Sequence, residues 1–196
     1  QERDKELAQI VPLHKIILDV VINHLPNPLV AQKYRIPKIW LGDVSSDVGT
    51  DMINLNSSGI LTAIVTKVTP DPHAGLVATA RIFSGTLKRG QEVRLIGQHV
   101  NRRVQQVSIY KGPQRLQLEE IPAGNIVGLV GLPEAFSGET LSDPEREIHS
   151  FEGIKHIFEP VVTKSIEPKD TRDLAKLIVF LRHVSREDPT LKIDIN

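Results

Sequence analysis

The 196-residue chain contains no cysteine. Disulfides and thiolate metal sites are therefore excluded, and an intracellular, cytoplasmic setting is the expectation. Aromatic residues make up only 4% of the chain, so Val, Ile and Leu must supply most of any core. No apolar run approaches the roughly 18 residues that cross a bilayer, so no membrane partner is expected. The opening Gln1–Glu6 stretch is charged and has neither a signal-peptide pattern nor an initiator methionine. The chain reads as a piece of a longer protein.

Catalytic signatures are missing as well. There is no G-x-x-x-x-G-K-[ST] phosphate loop, no G-x-G-x-x-G and no H-E-x-x-H. His14, His24, His73, His99, His149, His156 and His183 are scattered, with no pair at the i, i+3 or i, i+4 spacing that would hold a metal from one helix. Ser57-Ser58-Gly59 and Phe83-Ser84-Gly85 carry hydroxyls without a nucleophile-elbow pattern. No catalytic, cofactor-binding or metal-ligating residue is expected in this chain.

What is present is an ordinary core-forming composition, with 40% hydrophobic residues and 24% charged. The zero formal net charge conceals two opposed blocks. Arg81 to Arg115 holds eight basic residues against Glu92, and Glu119 to Glu152 holds eight acids against Arg146. The basic block can meet a phosphate backbone, or it can be a solvated strand surface.

Periodicity divides the chain into three. Leu13, Ile16, Ile17, Val20 and Val21 recur at helical spacing after Pro12, and Leu25-Pro26-Asn27-Pro28 stops that helix. Ile36 to Thr50 reads as irregular, with Trp40 as a packing anchor. Residues 1–56 are thus expected to be a helix and a connector. Strands are predicted at Leu61–Val68, Leu76–Phe83, Glu92–Ile96, Val104–Tyr110 and Ile126–Leu129, separated by glycines and by the turn Pro70-Asp71-Pro72-His73-Ala74-Gly75. This is the pattern of an antiparallel barrel or sandwich over residues 57–150. At the end, Val161–Ile166 reads as a strand, a helix capped by Asp170 or Thr171 carries Leu174, Leu177, Ile178 and Leu181, and Leu191, Ile193 and Ile195 alternate as a second strand. Residues 151–196 are expected to be half of an α/β domain. The fold class is mainly β with α/β flanks.

The informative constellation runs from Gly75 to Gln91. A strand to Phe83 is followed by Gly85, which permits a bend or positive φ, and Lys88-Arg89-Gly90 turns the chain. Arg81, Ser84, Lys88 and Arg89, with Gly85 between them, would lie near one rim and could hold phosphate oxygens by charge and hydroxyl hydrogen bonds. The plain alternative is a well-made hairpin with solubilising charges.

The pattern G-x-V-x-x-x-R-x-x-S-G-T-L-x-x-G at Gly75–Gly90, with Ile121-Pro122-Ala123-Gly124-Asn125-Ile126-Val127-Gly128-Leu129-Val130-Gly131-Leu132, resembles the second domain of translational GTPases. Leu25-Pro26-Asn27-Pro28, Ala31-Gln32-Lys33-Tyr34-Arg35, Val65-Thr66-Lys67, Asp71-Pro72-His73-Ala74-Gly75 and Glu159-Pro160-Val161-Val162 narrow the resemblance to the elongation factor 2 family, in its archaeal form. The resemblance implies a translation-factor β-barrel, preceded by the last helix of a GTP-binding domain and followed by the start of a ferredoxin-like third domain. It implies a parent that hydrolyses GTP with magnesium and drives translocation of tRNA and mRNA on the ribosome. The barrel would pack on the nucleotide domain and touch small-subunit ribosomal RNA, with Arg81, Ser84, Gly85, Lys88 and Arg89 as contact candidates; a purely structural interdomain barrel is the alternative. The phosphate loop, D-x-x-G and N-K-x-D patterns are absent, so the resemblance carries GTPase activity to the parent and not to this chain.

Overall fold

The computed structural model describes residue 3 and residues 12–71, 73–112, 114–153, 162–187, 191, 193 and 194. Within residues 12–71 three helices come first. Helix α1, Leu13–His24, follows Pro12 and ends where Leu25 donates its N–H to the Val21 carbonyl. None of its residues is buried. Leu13, Ile17, Leu18 and Ile22 all stand open, so the helix is apolar around most of its circumference without a partner among the described residues.

The next segment corrects the expected irregular connector. Helix α2 spans Pro28–Ile39, and α3 spans Asp47–Ile53. Asn27, read as part of a stop, is also a start: its side chain accepts from Val30 N at 3.0 Å, and Pro28 fills the first helical turn where its missing N–H costs nothing. Pro37 sits in the last turn of α2, late enough that the helix runs on to Ile39. Ser46 caps α3, accepting from Gly49 N at 3.2 Å.

Ten strands follow: β1 Thr62–Asp71, β2 Gly75–Ser84, β3 Thr86–Lys88, β4 Glu92–Leu95, β5 Val100–Arg103, β6 Gln106–Lys111, β7 Gln114–Leu118, β8 Glu120–Pro122, β9 Ile126–Val130 and β10 Thr140–Ser142. Eight form one antiparallel sheet in the order β5-β4-β10-β1-β2-β9-β6-β7, and β3 pairs with β8. The sheet closes because β5 and β6 are two parts of one bent stretch. At the bend, Val104 exchanges hydrogen bonds with Gly90 and Gln91, while Gln105 N donates to the Val130 carbonyl at 2.8 Å. One edge of the sheet thus runs directly into its far side, which removes the exposed ladder of an open sheet. The expected single strand from Val104 is corrected accordingly: it begins at Gln106, and Val104 is the hinge.

Side chains alternate as the pleat requires. Ala63, Val65, Ala80, Ile82, Val107, Val127 and Leu129 point into the barrel and are buried together. Ile64 and Phe83 point the other way, where Ile36, Trp40, Met52 and Phe151 bury them in a second cluster. This second cluster fastens α2 and α3 to the outside of the barrel. Gln32, also buried, donates from Nε2 to the carbonyls of Met52 and Phe83, tying helix to helix and helix to strand. Trp40 is the packing anchor that its isolation in the sequence suggests: it is 6% exposed and its Nε1 donates to the His149 carbonyl at 2.7 Å.

Beyond the barrel a short 3-10 turn, Thr171–Asp173, leads into α4, Leu174–Glu187. Asp170 supplies the cap, accepting from Arg172 N at 2.9 Å. The two strands expected to flank this helix are corrected. Residues 162–166 and the described residues of 191–194 carry no ladder, because a strand exists only by pairing and no neighbour among the described residues pairs with them. Val161, Lys192 and Ile195 lie outside the described residues. No helix of the described residues is long and apolar enough to cross a membrane.

Candidate nucleic-acid interface

The five contact candidates do not form one surface. Gly85 follows β2 with φ +74°, a left-handed conformation that a side chain resists. A Cβ there would also lie 2.6 Å from the Leu61 Cα, so the bend is closed to any other residue. The Gly85 N–H donates to the Asn56 carbonyl at 2.8 Å, and its carbonyl accepts from Ala123 N at 2.9 Å. The residue positions backbone rather than presenting itself.

Ser84 corrects the expectation of a phosphate-binding hydroxyl. It is fully buried, and its Oγ donates to the Ile60 carbonyl at 2.6 Å. The pleat decides this: Ser84 pairs with Thr62 inside the β1–β2 ladder, and no free hydroxyl reaches solvent.

Lys88, at the end of β3, and Arg89, in the turn from β3 to β4, do stand exposed. Each already has an acid: Lys88 Nζ lies 3.3 Å from Glu120 Oε2, and Arg89 donates to Glu119 Oε1 at 3.2 Å. The pairing follows from register, since β3 lies antiparallel to β8 with Lys88 opposite Glu120. The two charge blocks of the sequence therefore fold onto one another. Arg102 pairs with Glu134 through two hydrogen bonds, and Arg94 reaches Glu147 at 3.5 Å. Linear segregation of charge does not become segregation on the surface. Exposed pairs of this kind hold each other weakly, about 1 kcal/mol or less, so Lys88 and Arg89 can still be recruited by phosphates.

Arg81 points elsewhere. It leaves β2 half-buried and enters a groove of about 930 Å³ formed between α2 and strands β1, β2 and β9. Arg35 of α2 lines the same groove. Burial lowers the proton affinity of Arg81, and the neighbouring charge of Arg35 lowers it further. Sequence reasoning does not reach this groove. Arg35 stands out in the sequence only through its family resemblance, and nothing in its spacing connects it to a strand 46 positions away.

Glu139 is a second feature that the sequence pattern does not reveal. It is buried, Oε1 accepts from Gly97 N at 2.7 Å and from Thr140 N at 3.0 Å, and Oε2 finds no hydrogen-bond donor among the described residues. Burial pushes its carboxyl above the usual range, against the pull of those two backbone donors. No three His, Asp or Glu side chains among the described residues stand close enough to hold a metal ion.

Comparison with known proteins agrees with the barrel and extends beyond it. Residues 75–142 match the family described as Elongation factor Tu domain 2, and residues 157–196 match Elongation Factor G, domain III. The chain is 50% identical over 196 residues to elongation factor 2 of Methanocaldococcus jannaschii, covering 100% of this chain and 27% of that protein. It is 52% identical over 192 residues to elongation factor 2 of Thermococcus kodakarensis and 51% identical over 192 residues to that of Pyrococcus abyssi, in each case 98% of this chain and 26% of the relative. The chain spans about a quarter of the length of these relatives.

Proposed function

We propose, for a chain that belongs to the elongation factor 2 family along its whole length, that it is the coupling segment of a ribosome-dependent GTPase promoting translocation of tRNA and mRNA in the cytoplasm. In this reading residues 1–56 are the last helix of an upstream GTP-binding domain with its connector. Residues 57–150 are the barrel, and residues 151–196 open the domain that follows. GTP and magnesium act in the parent, at sites outside this chain.

The observation that carries the reading is the cluster of Ile36, Trp40, Met52, Ile64, Phe83 and Phe151. It binds the polypeptide entering the barrel and the polypeptide leaving it to one face of the same rigid sheet. Trp40 and Phe151 even form an antiparallel bridge. A movement imposed on α2 must therefore be shared by the barrel and by its exit. Helix α1 supports the same view, because a helix that leaves Leu13, Ile17, Leu18 and Ile22 open over most of its circumference suits packing inside a larger body.

The barrel also presents the Lys88–Arg89 turn to small-subunit ribosomal RNA. A second reading, a coupling barrel without direct RNA contact, is favoured by the ion pairs that already occupy Lys88 and Arg89. Salt titration of small-subunit binding by the intact factor separates the two. Lys88→Gln with Arg89→Gln should lower affinity and reduce the salt slope by roughly one unit for each phosphate no longer neutralised. An unchanged slope leaves the coupling role without the RNA contact.

A further inference from the structure

The turn from β3 to β4 is where the two charge blocks of the sequence meet at the surface. β3 lies against β8 with Lys88 opposite Glu120, and the next amide along, Arg89 N–H, donates to the Glu119 carbonyl at 2.8 Å. The backbone therefore sets two bases beside two consecutive acids. The side chains close the gap: Lys88 Nζ lies 3.3 Å from Glu120 Oε2, and Arg89 Nη1 lies 3.2 Å from Glu119 Oε1. A third base has the same company. Arg103 donates from Nε to the Gly90 carbonyl at 2.8 Å and stands opposite Glu92 in the β4–β5 ladder. Three bases and three acids thus surround one turn, and their formal charges cancel.

These pairs are not needed to hold the strands. All four side chains of the two closest pairs are more than half exposed, and pairs in water add little to stability. β3 and β8 are fastened instead by Leu87 and Ile121, opposite one another and both buried in the barrel core. What the acids do change is access to the bases. A carboxylate within hydrogen-bond reach occupies the donors that a phosphate oxygen would take. Lys88 and Arg89 can grip a phosphate only by releasing Glu120 and Glu119, and the released carboxylates stay tethered beside the incoming anion. Tethering makes them competitors that cannot diffuse away.

We propose that Glu119 and Glu120 are intramolecular competitors of RNA: they hold the affinity of the Lys88–Arg89 turn for phosphates below what the two bases alone would give. This rests on the reading of the turn as an RNA contact and adds what limits that contact. A quickly broken contact suits a factor that acts on ribosomes repeatedly, and affinity is tuned mostly through the rate of leaving.

The test uses the intact factor and purified small ribosomal subunits. Glu119→Gln with Glu120→Gln should tighten binding about tenfold at low salt, the worth of two exposed pairs that no longer have to break, and slow dissociation by a similar factor. The gain should shrink as salt rises, because salt already screens the competing pairs. A mutant cycle identifies the mechanism. When Lys88→Gln and Arg89→Gln are present as well, removing the two acids should bring no gain, since nothing is left to compete for. A gain that persists without the two bases would overturn the proposal, for the acids would then only repel RNA at a distance. Unchanged affinity in Glu119→Gln with Glu120→Gln, where Lys88→Gln with Arg89→Gln weakens binding, would overturn it and leave the RNA contact standing. If Lys88→Gln with Arg89→Gln has no effect, the RNA contact proposed above fails, and the competition fails with it.

Discussion

Phe151→Ala probes the fastening of connector to barrel most sharply. Phe151 is 2% exposed and packs on Phe83 in the outer cluster, away from the barrel interior. Truncating a buried Phe costs about 3–5 kcal/mol, of which the ring–ring contact is a part. The chain has a single tryptophan, Trp40, inside the same cluster, so its emission reports this region alone. In urea, with a slope of about 2 kcal/mol per molar, a loss of about 3 kcal/mol moves the Trp40 transition down by about 1.5 M. Hydrogen exchange at the strand amides reports the barrel, whose core is a separate cluster. The variant should therefore show the fluorescence transition well before the strand transition. A shift below about 0.5 M would refute the reasoning, for then the cluster carries too little energy to transmit anything. Strands unfolding in step with Trp40 would refute the separation of the two cores.

Gly85→Ala should cost more than about 3 kcal/mol, combining left-handed strain with a collision against Leu61, whereas Gly112→Ala, at positive φ with nothing within 4 Å, should cost only about 1–2 kcal/mol; thermal melting of both variants tests the difference. Glu139 gives a pH signature. Its folded carboxyl is raised above the ordinary 4.5 by burial, so between that value and the raised one the folded state binds more protons than the unfolded state. Wild-type stability should fall as pH rises through that window and level off above it, and Glu139→Gln should lack this slope in denaturation curves taken across pH. Removing the ion pairs of Lys88 and Arg89 should leave stability within about 1 kcal/mol, so any effect of Lys88→Gln with Arg89→Gln on ribosome binding is an effect on binding.

The strands that alternate cleanly are legible from the sequence. β2 extends one residue beyond the expected Leu76–Phe83 at each end, and the Asp71 turn closes through Oδ1 accepting from His73 N and Ala74 N, as its turn chemistry implies. Short strands such as β3, β8 and β10, three residues each, are not, because pairing partners rather than propensity make them strands. Helix α2 is hidden by its prolines, since Pro28 reads as a breaker until Asn27 is recognised as a cap. The candidate site is less legible for a related reason. Ser84 and Arg81 sit three positions apart in one strand and so face opposite sides, and the partners of Lys88 and Arg89 are set by a register with β8 that no local pattern encodes. Arg35 and Arg81 meet only through the fold.

The central claim is that nucleotide state in the parent reaches the barrel through the fastened connector. The most direct measurement is the fluorescence distance between labels at Asp19 on α1 and Lys111 on the barrel, taken in the intact factor with GDP and with a non-hydrolysable GTP analogue. The account predicts two distinct distances in the wild type that merge into one broad distribution in Phe151→Ala. The same two sharp distances in the variant would contradict it.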